Sequence, residues 1–322
     1  MSHRAAWALL AGWLCAGCAG GRAQMAVNVP VADLRALPHT TAKPETHDSV
    51  QETQLLYGEG VRIHKRQAGW ALVESIDQPE FTHHNRWEGY PGWIRSHMLA
   101  RRPAAWTPNI VVTEKWASTW SDQFQLELSP WRFALGTRLR ARDMGGSLWK
   151  VELLDGSVVW MPLQHARSLK EARAMPLQQK RHAIIRSAEL LMGDAYFWGG
   201  RSPVFDGASE QPTGVDCSAL TNLAYLTVGV DIPRDAHEQF LRATKISALQ
   251  PGDLVFLSER DNPHHVVHVM LYAGEEALIE GPGTGFSVRR ISFQDRLGRP
   301  RNELSSDSVI DGQTVRFGTY LQ

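Results

Sequence analysis

Cys217 is the residue best suited to covalent chemistry. The chain has three cysteines, and the other two, Cys15 and Cys18, lie in an N-terminal segment that we expect to be cut or modified. One thiol then remains in the folded part, which excludes a disulfide scaffold and a multi-cysteine zinc site there. Because a lone thiol in an oxidising compartment is at risk of oxidation, its presence favours a reactive role over that of a small buried apolar residue.

The residues around Cys217 place it at the start of a helix. The sequence GVDCS at 214–218 ends a loop and precedes an apolar stripe over 220–226. Asp216 is a natural N-cap for such a helix. The positive end of the helix dipole favours a thiolate, although the charge of Asp216 partly opposes it.

A thiolate nucleophile needs an imidazole that holds and returns a proton, and four histidines follow Cys217. His268 lies inside an apolar run that predicts a strand, while His264 and His265 follow Asn-Pro and are expected at a loop edge; the fourth candidate is His237. The His-His-x-x-His spacing is conceivable for a metal, but no further ligand stands at a suitable distance, so we expect none.

Glu280 is the candidate for the group that orients the imidazole. It lies twelve residues after His268, across a turn. A three-residue loop over 274–276 would pair Ala273 with Ala277 and make Glu280 the diagonal neighbour of His268. Such positions lie about 7–8 Å apart, within reach of a long side chain. We therefore predict an odd-numbered hairpin loop.

The elements that must position these residues form an α+β arrangement. Helical spacing of apolar residues from 183 to 192 and from 217 to 226, with a short helix over 235–243, precedes four β-type runs. These predicted strands are 253–257, 266–273, 277–280 and 314–320.

The upstream half of the chain consists of short β-type runs. Runs between 53 and 102 and between 138 and 161 share one order of strands and glycine-containing turns, which predicts a weak repeat of two small β-barrels. Nine of the twelve tryptophans fall between Trp70 and Trp160, where they could fill cores or line a groove. Residues 25–50 predict an extended lead-in.

The start of the chain resembles an export signal. A short apolar run at 5–16 follows a basic residue, and small residues precede Cys18. This resembles a lipoprotein signal in which Cys18 carries the lipid; ordinary cleavage between 19 and 24 is the alternative. We expect an exported protein of the periplasm or cell envelope.

Composition excludes some functions. The 322 residues include 34 basic and 34 acidic side chains, so the net charge is zero and gives no indication of nucleic-acid binding. With 43% hydrophobic and 21% charged residues, the chain has the composition of an ordinary globular protein.

Five motifs in order resemble the NlpC-type cell-wall cysteine peptidases, which are small papain-like domains. The motifs are YFWGG at 196–200, DCS at 216–218, IPRD at 232–235, LQPGDLVF at 249–256 and HVMLYAG at 268–274. The resemblance implies a multidomain chain in which two small all-β SH3-like barrels precede an α+β papain-like catalytic domain. The implied boundaries are a signal at 1–24, barrels at 25–103 and 104–174, and the peptidase at 175–322.

The resemblance also implies roles for the catalytic residues. Cys217 would be the nucleophile and His268 the base. Glu280 would stand at the third polar position, where His, Asn or Gln is common. Tyr196 resembles the family tyrosine beside the oxyanion site.

A second implied set binds substrate. Asp235 resembles the acidic residue that holds a free α-amino group, and Glu59 and Tyr90 match the positions of the first barrel that close over it. An ammonium between Glu59 and Asp235 would form charge-assisted hydrogen bonds, whereas an acylated amine would leave both carboxylates unpaired. The remaining implied binding residues are Trp198, Asp216 and Ser218.

The function implied is hydrolysis of the bond between γ-D-Glu and diaminopimelate or Lys in peptidoglycan stem peptides that begin with a free L-Ala, without cofactor or metal. The expected partners are peptidoglycan-derived peptides, with membrane contact only through a lipid on Cys18. Two alternatives stay open: a non-catalytic peptidoglycan-binding protein, and an amidase or acyltransferase that acts on another substrate.

Overall fold

A computed structural model describes residues 24–41, 47–143, 146–206 and 212–321. The predicted export segment, with Cys15 and the proposed lipidation site Cys18, lies outside these ranges except for its last residue. Within the described ranges, no helix combines the length and the apolar character needed to span a membrane.

The first β unit is a seven-stranded antiparallel sheet. Its elements are β1 (Met25–Val27), β2 (Val31–Arg35), β3 (Gln51–Leu56), β4 (Gly60–Gln67), β5 (Trp70–Glu80), β6 (Glu88–Arg95), a 3₁₀ turn (Ser96–Met98) and β7 (Leu99–Arg101). The strand order is β3-β2-β6-β5-β4-β1-β7. The expectation of an extended lead-in over 25–50, outside the sheet, is therefore wrong, because β1 and β2 belong to the sheet. Strands as short as β1 and β2 show no periodicity, and their hydrogen bonds come from partners distant in sequence.

The second β unit repeats the first. Its elements are β8 (Ile110–Val112), β9 (Trp116–Trp120), β10 (Leu128–Ala134), β11 (Arg138–Asp143), β12 (Leu148–Glu152), β13 (Val158–Pro162), a 3₁₀ turn (Leu163–His165) and β14 (Ala166–Ser168). The order β10-β9-β13-β12-β11-β8-β14 is, strand for strand, that of the first sheet. The repeat expected from the sequence is thus present in the strand order.

The C-terminal part contains the helices and a third large sheet. Its elements are α1 (Leu169–Ala174), α2 (Leu177–Glu189), β15 (Arg201–Ser202), β16 (Gly214–Val215), α3 (Cys217–Leu226), α4 (Ala236–Arg242), β17 (Thr244–Lys245), β18 (Leu254–Glu259), β19 (Asn262–Gly274), β20 (Ala277–Glu280), β21 (Arg289–Ser292), α5 (Phe293–Leu297), a 3₁₀ turn (Arg301–Glu303), β22 (Val309–Ile310) and β23 (Gln313–Thr319). The sheet order is β17-β23-β18-β19-β20-β21. Helices precede most of the sheet, as an α+β fold requires.

Two apolar layers cover this sheet. All ten residues of α3 are buried, and the helix packs with alternate residues of β18 and β19, such as Phe256 and Leu271. The intervening residues, including Met270 and Leu278, pack with Phe293 of α5. Residues two apart on a strand share a face, so Glu280 lies on the same side as Leu278 and α5.

The first β unit is joined to the C-terminal part through Gln54 of β3. Its side-chain oxygen accepts hydrogen bonds from the backbone N of Arg201 at 2.9 Å and from Oγ of Ser202 at 2.8 Å. Its amide nitrogen donates to the carbonyl of Pro212 at 2.7 Å. Gln54 is fully buried, so this joint is part of the folded interior.

Gly200, which directly precedes β15, leaves no room for a side chain. A Cβ there would lie 2.4 Å from the carbonyl oxygen of Gly214, a backbone atom that cannot rotate away. We expect Gly200→Ala to lower the free energy of unfolding by about 1–3 kcal/mol. The matched control is Gly146→Ala, at an exposed position with no atom within 4 Å of the added methyl. Denaturant titration of both variants measures the difference, and equal stability would contradict the packing described.

Candidate active site

Cys217 is the first residue of α3 and is 7% exposed. Asp216 caps the helix as the sequence predicts, because its carboxylate accepts a hydrogen bond from the backbone N of Ala219 at 2.8 Å. The sulfur therefore lies in the first turn, where unpaired backbone N–H groups carry partial positive charge. This charge stabilises a thiolate.

Arg234 neutralises the cap. Its fully buried guanidinium binds both carboxylate oxygens of Asp216, at 3.0 and 2.7 Å. It also donates to Oγ of Ser218 at 2.9 Å and to Oγ1 of Thr53 at 2.7 Å. Burial alone would lower the pKa of Arg234, but attraction to Asp216 and Asp235 raises it. The negative charge of Asp216, which would oppose a thiolate at Cys217, is thus paired with Arg234 in the fold.

His268 joins Cys217 to Glu280. Its Nε2 lies 2.8 Å from Oε2 of Glu280, and its side chain is hydrogen-bonded to Cys217. The three side chains form a relay of thiol, imidazole and carboxylate.

The hairpin that brings Glu280 to His268 differs from the predicted one. Its loop contains two residues, 275–276, and both have positive φ, of 47° and 64°. Gly274 pairs with Ala277, so the expected three-residue loop over 274–276 is wrong. A two-residue loop alone would turn Glu280 to the opposite face.

A β-bulge restores the register. Tyr272 pairs with Leu278, which leaves Ala273 as an extra residue on β19. The extra residue shifts the pairing by one position, so Glu280 becomes the diagonal neighbour of His268 by a different route from the one predicted. A prediction from the sequence counts the residues of the loop to decide which face a side chain lies on. It cannot detect a bulge within a strand.

Two arginines hold Glu280 in place. Arg289 donates to Oε1 through Nε and Nη2, at 3.1 and 2.8 Å, and Arg296 of α5 donates to Oε2 at 2.8 Å. The carboxylate is fully buried. Burial acts to raise its pKa, but His268 and Arg296 outweigh this and lower the pKa of Glu280 to about 2.

His268 is held in its protonated form. Burial alone would lower its pKa, but the charge of Cys217 and hydrogen bonds with Cys217 and Glu280 raise the pKa of His268 to about 9. The imidazolium is therefore favoured below about pH 9 and lost above it. An imidazolium beside the sulfur both stabilises a thiolate and can supply a proton to a leaving group.

A cavity of about 270 Å³ opens beside the sulfur. Cys217 and six other residues implied by the sequence resemblance line it. These six are Tyr90, Tyr196, Trp198, Asp216, Ser218 and Asp235. The cavity lies between the first β unit and the C-terminal part.

One end of the cavity is acidic. The hydroxyl of Tyr90 donates to Oδ2 of Asp235 at 2.9 Å, across 145 positions of sequence. Partial burial raises the pKa of Asp235 to about 7; Arg234 acts to lower it, while Glu238 and other nearby carboxylates raise it further. A positively charged ligand would stabilise the ionised form of a carboxylate whose pKa is raised in this way.

Residues 193–299 match the model of the NlpC/P60 family. The C-terminal part of the chain is an NlpC/P60 domain. Together with similar dipeptidyl-peptidases, the domain establishes the chain as a cysteine peptidase. The catalytic domain expected for this part agrees with that match.

The similarity to known proteins extends beyond this domain. This chain is 27% identical over 258 residues to a γ-D-glutamyl-L-lysine dipeptidyl-peptidase of Bacillus subtilis, covering 78% of each chain. It is 31% identical over 135 residues to dipeptidyl-peptidase 6 of Lysinibacillus sphaericus, covering 41% of this chain and 44% of the relative. The crystal structure of an NlpC/P60 family protein from Bacillus cereus is similar over 93% of this chain and all of that chain. The TM-score is 0.73 at 22% identity, which shows a shared fold.

Glu59 does not line the cavity beside Cys217, contrary to its predicted place beside Asp235. Its Oε1 pairs with Arg201 at 2.8 Å, and its other oxygen accepts from Leu56 and Gln78. It lines a separate cavity of about 80 Å³. The turn after β3 directs Glu59 to Arg201, a buried cation that needs a partner.

Glu52 is the carboxylate of the first β unit that does line the cavity. It lies on β3 and faces Nε2 of His83 at 3.5 Å. Sequence reasoning missed Glu52 and also Arg234, which the IPRD motif contains without a stated role. For Arg234 the signal was its place in that motif, whereas the polar stretch around Glu52 gave no signal.

The pKa values of His268 and Glu280 predict the pH profile. In the wild type, kcat/KM should fall as pH rises through about 9, where the imidazolium of His268 is lost. In Glu280→Gln, a cause of the raised pKa of His268 is removed. The fall of kcat/KM at alkaline pH, the alkaline limb, should therefore occur at a pH about one unit lower. Glu189→Gln, which removes an exposed ion pair with Arg290, is the control and should leave the limb in place. An unshifted limb in Glu280→Gln would show that Glu280 does not set the protonation of His268.

Proposed function

We propose that this protein is an exported peptidoglycan hydrolase. It cleaves the bond between γ-D-Glu and diaminopimelate or Lys in stem peptides with a free N-terminal L-Ala, and releases L-Ala-γ-D-Glu. Support comes from the NlpC/P60 domain, from relatives named γ-D-glutamyl-L-lysine dipeptidyl-peptidase, and from the export signal expected at 1–24.

The acidic end of the cavity is the observation that carries this proposal. Asp235 and Glu52 line a cavity that also contains Cys217, and Tyr90 holds the Asp235 carboxylate from the opposite unit. A peptide ammonium placed there would form charge-assisted hydrogen bonds to both carboxylates. An amine bound at this end of the cavity would set the number of residues that precede the cleaved bond.

In the proposed reaction, the thiolate of Cys217 attacks the γ-carbonyl carbon of D-Glu. His268 gives its proton to the departing amine, and a thioester joins the sulfur to L-Ala-γ-D-Glu. Water then attacks the thioester while His268 takes up its proton. The acid leaves, and the thiolate and the imidazolium are restored.

Tyr196 suits the stabilisation of the oxyanion formed in each step. It is 8% exposed and lines the cavity beside Cys217. Burial, with the nearby charges of Cys217 and Asp216, raises the pKa of Tyr196, so the hydroxyl keeps its proton. A neutral hydroxyl in this position can donate a hydrogen bond to the oxyanion.

The proposal is tested with L-Ala-γ-D-Glu-diaminopimelate, the corresponding Lys peptide, and N-acetylated forms of both. The free peptides should be cleaved to L-Ala-γ-D-Glu, and acetylation should lower kcat/KM by at least about a hundredfold because it removes the ammonium. Product release is followed by chromatography. Cys217→Ala should reduce cleavage by more than about a thousandfold. Failure of the wild type to cleave either free peptide would exclude the proposed bond, and equal cleavage of the acetylated peptides would exclude the amine site.

The placement of Glu52 and Glu59 predicts different effects of the same substitution. Glu52→Gln should raise KM for the free peptide about tenfold, because it weakens a charge-assisted hydrogen bond. Glu59→Gln should lower the melting temperature through loss of its pair with Arg201, with KM unchanged. A larger KM effect at Glu59 would contradict the placement of the amine between Glu52 and Asp235.

A further inference from the structure

Three potential metal ligands meet on the hairpin between β5 and β6, outside the catalytic relay. Glu80 ends β5, Glu88 begins β6, and these two residues are direct partners across the hairpin. His84 lies in the loop between them. One nitrogen or oxygen atom from each of the three side chains lies within 4.8 Å of the others.

Glu80 supplies the observation that points to a ligand. Its side chain is fully buried, and only Oε2 is paired, with the backbone N and Nδ1 of His83, both at 3.0 Å. Among the described residues, Oε1 of Glu80 has no hydrogen-bond partner. A buried carboxylate oxygen without a partner is costly, and a cation would satisfy it.

Glu88 and His84 complete the set. Arg86 binds Oε2 of Glu88 at 2.8 Å, while Oε1 of Glu88 contacts Nδ1 of His84. Two carboxylates directly opposite each other on paired strands repel, so a shared cation between them would stabilise the hairpin. The His84 side chain is 59% exposed, which gives an ion access from solvent.

We propose that Glu80, His84 and Glu88 bind a divalent transition-metal ion of the Zn²⁺ class. One imidazole and two carboxylates are three ligands suited to Zn²⁺, with a fourth position left for water. Mg²⁺ and Ca²⁺ prefer sites made only of oxygen ligands and are disfavoured here.

The site lies close to the substrate cavity through the same loop. His83 contacts Glu80 on one side and Glu52 on the other, and the backbone N of Thr82 donates to Glu238 at 3.1 Å. Thr82, His83 and Glu52 all line the cavity beside Cys217. A bound ion would therefore fix the loop that forms one wall of the cavity.

Isothermal titration of metal-free full-length Cys217→Ala protein, in which Cys15 and Cys18 are also replaced by Ala, with Zn²⁺ tests the proposal; the background substitutions remove all three thiols of the chain as competing ligands. We expect one ion per chain with a Kd below about 10 µM, which millimolar Mg²⁺ does not displace. Glu80→Gln and His84→Ala in the same background should each weaken binding by at least about tenfold.

The control is His64→Ala, which removes an exposed histidine beside Glu74 on the same sheet and should leave the affinity unchanged. His84 is exposed, so His84→Ala remains informative even if Glu80→Gln fails to fold, which circular dichroism would reveal. Absence of binding, or equal affinity in His84→Ala and its cysteine-free parent, would overturn the site. Because the readout is binding, its failure is distinct from a failure to cleave stem peptides.

Discussion

The buried pair of Arg234 and Asp216 is the interaction on which the peptidase site depends. A guanidinium with no exposed surface must find partners for its donors, and here they are the helix cap, a serine of the first helical turn and a threonine of the first β unit. Removal of either charge would leave the other buried without this two-point partner, which costs several kcal/mol. The same pair fixes the start of α3, and so it fixes the sulfur, and it offsets the acidic charge closest to a thiolate.

The charges around the site fall into two groups with different surroundings. Arg234 is fully buried, whereas Arg289 and Arg296, which hold Glu280, are 41% and 24% exposed. The buried Arg234 fixes the position of the first turn of α3, which cannot change without unfolding of the helix start. Arg289 and Arg296 hold the buried carboxylate of Glu280 against the imidazole from the solvent side. They therefore orient the carboxylate and balance its charge at a smaller desolvation cost. A glutamate can thus occupy the third position without leaving an unpaired charge in the interior.

The sequence was informative where function depends on local pattern and less so where it depends on long-range pairing. The helix start at Cys217, its Asp216 cap and the strand that carries His268 follow from spacing and capping rules, and the structure has all three. The hairpin shows the limit, since the diagonal placement of Glu280 was anticipated but the loop length was not. Glu59 and Glu52 show it more strongly. Both are acidic residues on or beside β3, and only the docking of Arg201 against that strand determines which one lies in the cavity. Strands β1 and β2 were missed for the same reason, because their partners lie far along the chain.

The hydrogen bond between Arg234 and Thr53 joins residues that are 181 positions apart. Loop closure over such a distance carries an entropic cost that must be met before the contact can stabilise anything. Thr53 belongs to the first β unit, so the position of the helix start at Cys217 depends on the docking of that unit against the C-terminal part. A chain in which the two parts have not docked lacks the assembled peptidase site, so its hydrolytic activity waits until the architecture around the site has formed.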